Sequence, residues 1–248
     1  MIQVIGLYKS FGRQQVLKGV NLELQTGKIT TIIGGSGSGK TVLLKHLNAL
    51  LLPDKGSVVV DGTDITKANE STLNRVRQKF GVLFQGAALL DSMTIYDNVA
   101  FPLREKTKLT EPEIQKRVEE QLEQVGLTGT GYKYPAEVSG GMKKRAGLAR
   151  ALVVRPEIVL FDEPTTGLDP LLGKSIHELI RKVHGAVGFT GVIVSHDIPE
   201  VFKISDRVAM LANGVIAEGG PTEEFVKSRN PIVRQFLEGE MEGPLAVL

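Results

Sequence analysis

The sequence predicts an α/β fold: a mixed-sheet core built around a phosphate-binding loop, with an antiparallel β subdomain and an inserted helical subdomain. Three observations carry this expectation. Short apolar runs at residues 81–84, 158–161 and 192–194 are of the kind buried on both faces of a parallel sheet. The octet Gly34-Gly35-Ser36-Gly37-Ser38-Gly39-Lys40-Thr41 fits GxxxxGK(S/T), follows an apolar strand expected over 28–33 and precedes an apolar helix expected over 41–51. Between Phe84 and Ile158 lie about seventy residues, too many for one crossover and enough for a small helical unit.

Before and after the first helix, β-rich runs at 2–8, 16–24, 29–33 and 57–60 alternate with turn signals, the last closed by Asp61-Gly62, and read as antiparallel strands beside a parallel core. Residues 110–125 open with Thr110-Glu111-Pro112-Glu113, an N-cap followed by an early proline. They place Ile114, Val118, Leu122 and Val125 on one face, so an amphipathic helix is expected. Near the end, 208–211 and 215–217 flank Ala212-Asn213-Gly214, a hairpin signal with Asn-Gly at the turn. The tail beyond Glu238 ends in Pro244-Leu245-Ala246-Val247-Leu248, for which fraying is the default expectation.

The octet predicts a nucleotide site. Its glycines and serines let backbone N–H groups turn around a phosphate, and the following helix adds the positive end of its dipole. Lys40 can then reach the β- and γ-oxygens, and the Thr41 hydroxyl can ligate Mg²⁺. The run 158–163 ends in Asp162-Glu163, so two carboxylates emerge at the carboxyl edge of a sheet. Asp162 is the candidate Mg²⁺ partner, and Glu163, pointing differently, the candidate base for a water attacking the γ-phosphate. His196 follows a second such strand, and Gln85 ends a third, where its amide oxygen can bind Mg²⁺ or the attacking water. Ser139-Gly140-Gly141-Met142 starts another helix with a second anion-friendly N-terminus, one more than a single nucleotide requires.

The composition narrows the class. At 248 residues with 42% hydrophobic and 23% charged residues, the chain can bury a sizeable core. Thirty Lys and Arg against 28 Asp and Glu give a net charge of +2 without a basic block, which offers no electrostatic support for non-specific nucleic-acid binding. Zero cysteines exclude disulfides and thiolate metal sites. No run reaches the roughly 18 apolar residues of a membrane span, and the first residues lack a basic leader, so any membrane role is expected to run through a partner.

In chain order, the octet, Gln85, Ser139-Gly140-Gly141-Met142, residues 158–163, Gly167-Leu168-Asp169 and His196 resemble the Walker A, Q-loop, signature, Walker B, D-loop and H-loop of ABC-transporter ATPase subunits. The resemblance covers nearly the whole chain and implies one P-loop NTPase domain of the ABC ATPase fold over 1–248. A RecA-like core with the antiparallel β subdomain would take 1–85 and 156–237, the helical subdomain with the signature 86–155, and a C-terminal tail 238–248. It also implies a head-to-tail homodimer, in which the signature of one copy completes the γ-phosphate site above the other's Walker A loop. ATP and Mg²⁺ would be the cofactors. Catalytic roles would fall to Glu163, His196, Lys40 and Gln85, metal contacts to Thr41, Gln85 and Asp162, and nucleotide contacts to residues 34–41, Gln85, Ser139 to Met142 and Asp169. Phe11 matches the aromatic that stacks on adenine, with Val16 packed beside the ring.

Met142, where most ABC ATPases carry glutamine, and the segment Tyr96-Asp97-Asn98-Val99-Ala100-Phe101-Pro102-Leu103-Arg104-Glu105 resemble the ATPase of Mla-type, MCE-associated phospholipid transporters, as does the tail from Pro231 to Gly239. The partners so implied are an MlaE-like integral-membrane permease, an MCE-domain lipid-binding protein and a small STAS-type accessory subunit, with no nucleic acid. The place implied is the cytoplasmic face of a bacterial inner membrane, and the tail is expected to wrap onto the dimer mate. The apolar segments 86–90 and 95–103 would offer a groove to a short helix of the permease, or else form subdomain core. An alternative keeps the ATPase but makes the cargo a polar solute such as an amino acid. ABC-type nucleic-acid proteins carry coiled-coil insertions or two cassettes, neither of which this chain has, and no Asn-Lys-x-Asp segment marks a GTPase.

Overall fold

The structure, a computed structural model, describes residues 1–245, which divide into two compact units, 1–77 with 192–245 and 78–191. Ala246, Val247 and Leu248, part of the tail segment singled out above, lie outside the described residues.

In the first unit, β1 (Ile2–Phe11), β2 (Gln14–Leu24), β3 (Ile29–Ile33), α1 (Lys40–Leu47), β4 (Lys55–Val60), β5 (Thr63–Asp64) and α2 (Glu70–Arg77) come first. Strands β2, β1, β4 and β5 lie in that order in an all-antiparallel sheet, with Ile2 facing Leu24 on one side and Val60 on the other. Burial alternates along β1 from Ile2 to Val4, as a sheet with one covered face requires. Helix α1 stops four residues short of the expected 51. Asn48 leaves the helical region at its C-cap and Ala49 adopts a positive φ of 56°.

The second unit holds β6 (Phe80–Leu83), α3 (Ile95–Lys106), α4 (Glu111–Gln124), α5 (Gly140–Leu152), β7 (Ile158–Asp162) and α6 (Pro170–Val187). Strands β6 and β7 are parallel, with Leu83 level with Phe161, so the residues after each leave at one edge. The expected strand at 81–84 loses Phe84, which is exposed beyond the end of β6. Helix α4 begins with the capping box read from the sequence: Glu113 Oε2 accepts from the Thr110 backbone N–H at 2.7 Å.

Strand β8 (Thr190–Val194) spans the boundary, and β9 (Arg207–Ala212), β10 (Val215–Pro221), α7 (Thr222–Phe225) and α8 (Pro231–Glu238) return to the first unit. There β10, β9, β3 and β8 are successive neighbours, with β9 parallel to β3 and antiparallel to β10. The Asn213-Gly214 turn of the β9–β10 hairpin is present, both residues at positive φ (51° and 84°). Strands β3, β7 and β8 are buried at all five positions each. Ile33, Val208, Met210, Phe225 and Val233 form a core under this part of the first unit.

Candidate active site

The phosphate loop joins β3 to α1. Its backbone is forced into glycine-only space at two places: a Cβ on Gly34 would stand 2.3 Å from the Leu211 carbonyl oxygen, and one on Gly39 would stand 2.8 Å from Val16 Cγ1. Gly39 also occupies the N-cap of α1 at φ 99°, so no capping side chain competes for the first N–H groups of the helix. Lys40, 7% exposed, turns its ammonium back into the loop and donates to the Gly34 and Gly35 carbonyls at 2.9 Å each. Ser38 Oγ is buried and has no hydrogen-bond partner among the described residues. An anchored cation, an orphaned hydroxyl and a helix N-terminus within one turn of chain fit a phosphate group.

Of the other predicted residues of the first unit, Val16, Thr41 and His196 lie beside this loop. Val16 lies against Gly39, and Thr41 is half-buried in the first turn of α1. The Ser195 backbone N–H donates to Ile32 O at 3.3 Å, so the ends of β3 and β8 lie side by side and exposed His196 leaves at the loop's edge. Phe11 is 49% exposed at the β1–β2 turn, with the Lys9 ammonium 5.7 Å from its ring centroid. A cavity of about 650 Å³ opens beside the loop, lined by Val16, Lys18, Gly35 to Ser38 and the Asn213-Gly214 turn, and on its far wall by Phe236, Met241 and Leu245. That wall is the C-terminal tail. Buried Gln235 accepts from Leu245 N–H at 2.7 Å and donates to the carbonyls of Leu245 (3.1 Å) and Glu240 (3.3 Å).

In the second unit, Asp162 ends β7 and Glu163 follows it, both 8% exposed. Glu163 takes a left-handed φ of 50°, which turns its side chain away from the strand direction. Thr166 Oγ1 donates to Glu163 Oε2 at 3.2 Å. The turn after β6 carries Gln85, its side chain exposed. Ser139 caps α5, its Oγ accepting from Met142 N–H at 3.3 Å, and leaves Gly140 exposed at the helix start, with Gly141 buried against Leu172 and Met142 half-buried. Asp169 caps α6, accepting from the Leu171 and Leu172 N–H groups at 3.0 and 3.1 Å.

Sequence reasoning missed Lys144 in this unit. It is 5% exposed, and its ammonium donates to the backbone oxygens of Gln85 and, at 3.2 Å, of Glu163. Burial pushes its pKa below the ordinary lysine value, opposed by the nearby carboxylates of Glu163 and Asp162. Set between Lys143 and Arg145, it reads in sequence as part of a solvated basic run. Its place four residues after the glycine that opens α5, toward the packed face, was the available signal.

A phosphate loop opening a helix and two acids ending a buried strand define a nucleoside-triphosphate-hydrolysing class of protein. Residues 17–166 match the family model described as ABC transporter, and the chain belongs to that family. It is 46% identical over 246 residues to the probable ribonucleotide transport ATP-binding protein mkl of Mycobacterium leprae, covering 99% of this chain and 71% of that one. It is 41% identical over 245 residues to the intermembrane phospholipid transport system ATP-binding protein MlaF of Haemophilus influenzae, covering 99% and 93% respectively. The dimeric ATP-binding cassette MJ0796 bound to ADP and Pi superposes with a TM-score of 0.82 at 31% identity, over 90% of this chain and 99% of that one. The chain is thus an ATP-binding ABC-transporter subunit, and an ATPase. Among the described residues no helix is long and apolar enough to cross a membrane.

Proposed function

We propose that this ATPase works as a head-to-tail homodimer that powers phospholipid transport through a membrane-embedded permease served by an MCE-domain protein, at the cytoplasmic face of a bacterial inner membrane. The observation that carries the cargo is the 41% identity to MlaF across 99% of this chain and 93% of that one, with methionine at position 142 of the signature.

In this reading the residues divide the chemistry among them. Residues 34–41 cradle the β- and γ-phosphates through backbone N–H groups, and Lys40 exchanges its loop carbonyls for phosphate oxygens. Glu163 accepts the proton of the attacking water, and His196 holds the γ-phosphate. Phe11 stacks on adenine beside Val16. Ser139 and Gly140, exposed at the start of α5, face the nucleotide of a second copy, with Asp169 bracing that contact from the cap of α6. Thr41, Asp162 and Gln85 offer hard oxygen donors and would hold Mg²⁺, which when bound neutralises phosphate charge. A STAS-type subunit completes the assembly.

A second reading, a polar cargo, is favoured by the 46% identity to proteins named for ribonucleotide transport. One experiment separates the two. The chain is purified from membranes with its permease, and the small molecules retained are read by mass spectrometry. Phospholipid with a co-purifying MCE protein supports the first reading, and ribonucleotide without lipid overturns it.

A further inference from the structure

Helix α5 is more than the carrier of the signature. Its face at Lys144, Gly147 and Ala151 lies on β6 and the turn after it so closely that neither side has room for another atom. A Cβ on Gly147 would stand 2.9 Å from Leu83 Cδ1, and one on Gly81 would stand 2.3 Å from the Ala151 carbonyl oxygen. The turn itself is strained, since Ala87 and Ala88 both sit at positive φ, 60° and 47°. Arg150 of α5 holds this conformation, donating from both terminal nitrogens to the Ala87 and Ala88 carbonyls at 2.6 Å. Nearly two helical turns earlier Lys144 bridges the start of the same turn, at Gln85 O, to Glu163 O. Glu163 is also a non-glycine residue at positive φ, and its carbonyl accepts from Lys144 and, at 3.3 Å, from the Thr166 N–H.

A buried ammonium is costly to desolvate unless it is hydrogen-bonded. Here both identified acceptors are backbone oxygens of residues that carry the reaction, and the charge sets where their chains turn. We propose that Lys144 is a positioning residue: it ties the Gln85 turn to the left-handed backbone of Glu163, so that the carboxylate aimed at water and the turn beside it move only together with α5. Arg150 is the second rivet of the same clamp. This inference rests on Glu163 being the base. It adds that the base is aimed by the signature helix of its own chain.

The test is turnover of the full-length protein with ATP and Mg²⁺ for Lys144→Met, Lys144→Gln and Lys144→Arg. Lys144→Met is expected to lower kcat about tenfold or more with KM for ATP within about twofold, and Lys144→Arg, which keeps a cation and its donors, to recover most of the loss. Lys144→Gln, with one donor group, falls between and serves if the methionine variant does not fold. Wild-type kcat in the methionine or glutamine variant overturns the proposal. So does a rise in KM that matches the loss in kcat, since that reports nucleotide binding. In the Glu163→Gln background the methionine substitution is expected to cost nothing further, and a full additive loss counts against action through Glu163.

Amide hydrogen exchange across residues 85–88 and 163–166 reads the clamp without the chemistry. It is expected to quicken in Lys144→Met and return in Lys144→Arg, and unchanged exchange overturns the clamp whatever the rate does. If Glu163→Gln alone turned over normally, the base assignment would fall, while the exchange data would still decide the clamp.

Discussion

Gly34 and Leu211 are in contact through backbone alone: the space where a Gly34 Cβ would stand lies 2.3 Å from the Leu211 carbonyl oxygen, at the point where β3 gives way to the phosphate loop. Neither partner is the far end of a flexible side chain, so nothing can move aside cheaply. Gly34→Ala is expected to displace the first residue of the loop and weaken ATP binding about tenfold or more, with circular dichroism near that of the parent. Titration with a fluorescent ATP analogue checks it. Unchanged affinity would mean that β9 shifts without disturbing the loop.

Glu163→Gln keeps shape and removes the proposed base. The variant is expected to bind ATP with parental affinity, to lose about a hundredfold or more in kcat, and to accumulate as a closed dimer in the presence of ATP. Light scattering with and without nucleotide, alongside phosphate release, is the measurement. Turnover at the normal rate would remove Glu163 from its role.

Gln235 uses both ends of its amide on the tail, and a buried amide stripped of such bonds is costly to leave unpaired. Gln235→Leu should therefore release residues 239–245 from the wall of the cavity beside the phosphate loop, seen as faster amide exchange there, at a cost of about 1–3 kcal/mol of stability. Deleting everything after Leu237 is expected to weaken dimerisation as well. Unchanged sedimentation and ATPase rates in the truncated chain would argue that the tail serves its own subunit only.

Asn98 is fully buried in α3 and ties down the preceding loop through Leu90 N–H and the carbonyls of Leu90, Met93 and Thr94. Asn98→Ala strips the Leu90 N–H and the Met93 carbonyl of their side-chain bonds, while the Leu90 and Thr94 carbonyls keep backbone donors, and is expected to cost about 1–3 kcal/mol, measured as a lower midpoint in urea. A shift below about 0.5 kcal/mol would show that water replaces the side chain.

Much of this was readable in one dimension because the signals were local. The capping box at Thr110 and Glu113, the Asn213-Gly214 turn and the strand-loop-helix grammar around Lys40 each depend on residues within a few positions of one another. What escaped reading depends on groups far apart in sequence. Lys144 looks solvated until the carbonyls of Gln85 and Glu163, 59 and 19 residues away, are placed around it. Gln235 looks like any helical surface residue until Leu245 folds back on it. The early end of α1 and the loss of Phe84 from β6 are failures of a different kind, since apolar residues continue past the last residue with regular geometry and pattern alone does not mark the stop.

The unbroken burial of β3, β7 and β8 shapes how this protein can vary. A strand with one wet face tolerates change at every second position, whereas a strand buried on both faces offers no tolerant position at all. In a saturation scan read by growth or abundance, these three segments should appear as solid intolerant blocks of five. Strands β1 and β2 should instead show a broken stripe, intolerant at buried Ile2, Val4, Leu7, Leu17, Val20 and Leu24 and tolerant between them. The stretches that deliver the phosphate loop, the paired acids and the histidine are thus the ones where drift is least available, so divergence within such proteins is expected to gather in the antiparallel sheet and the tail.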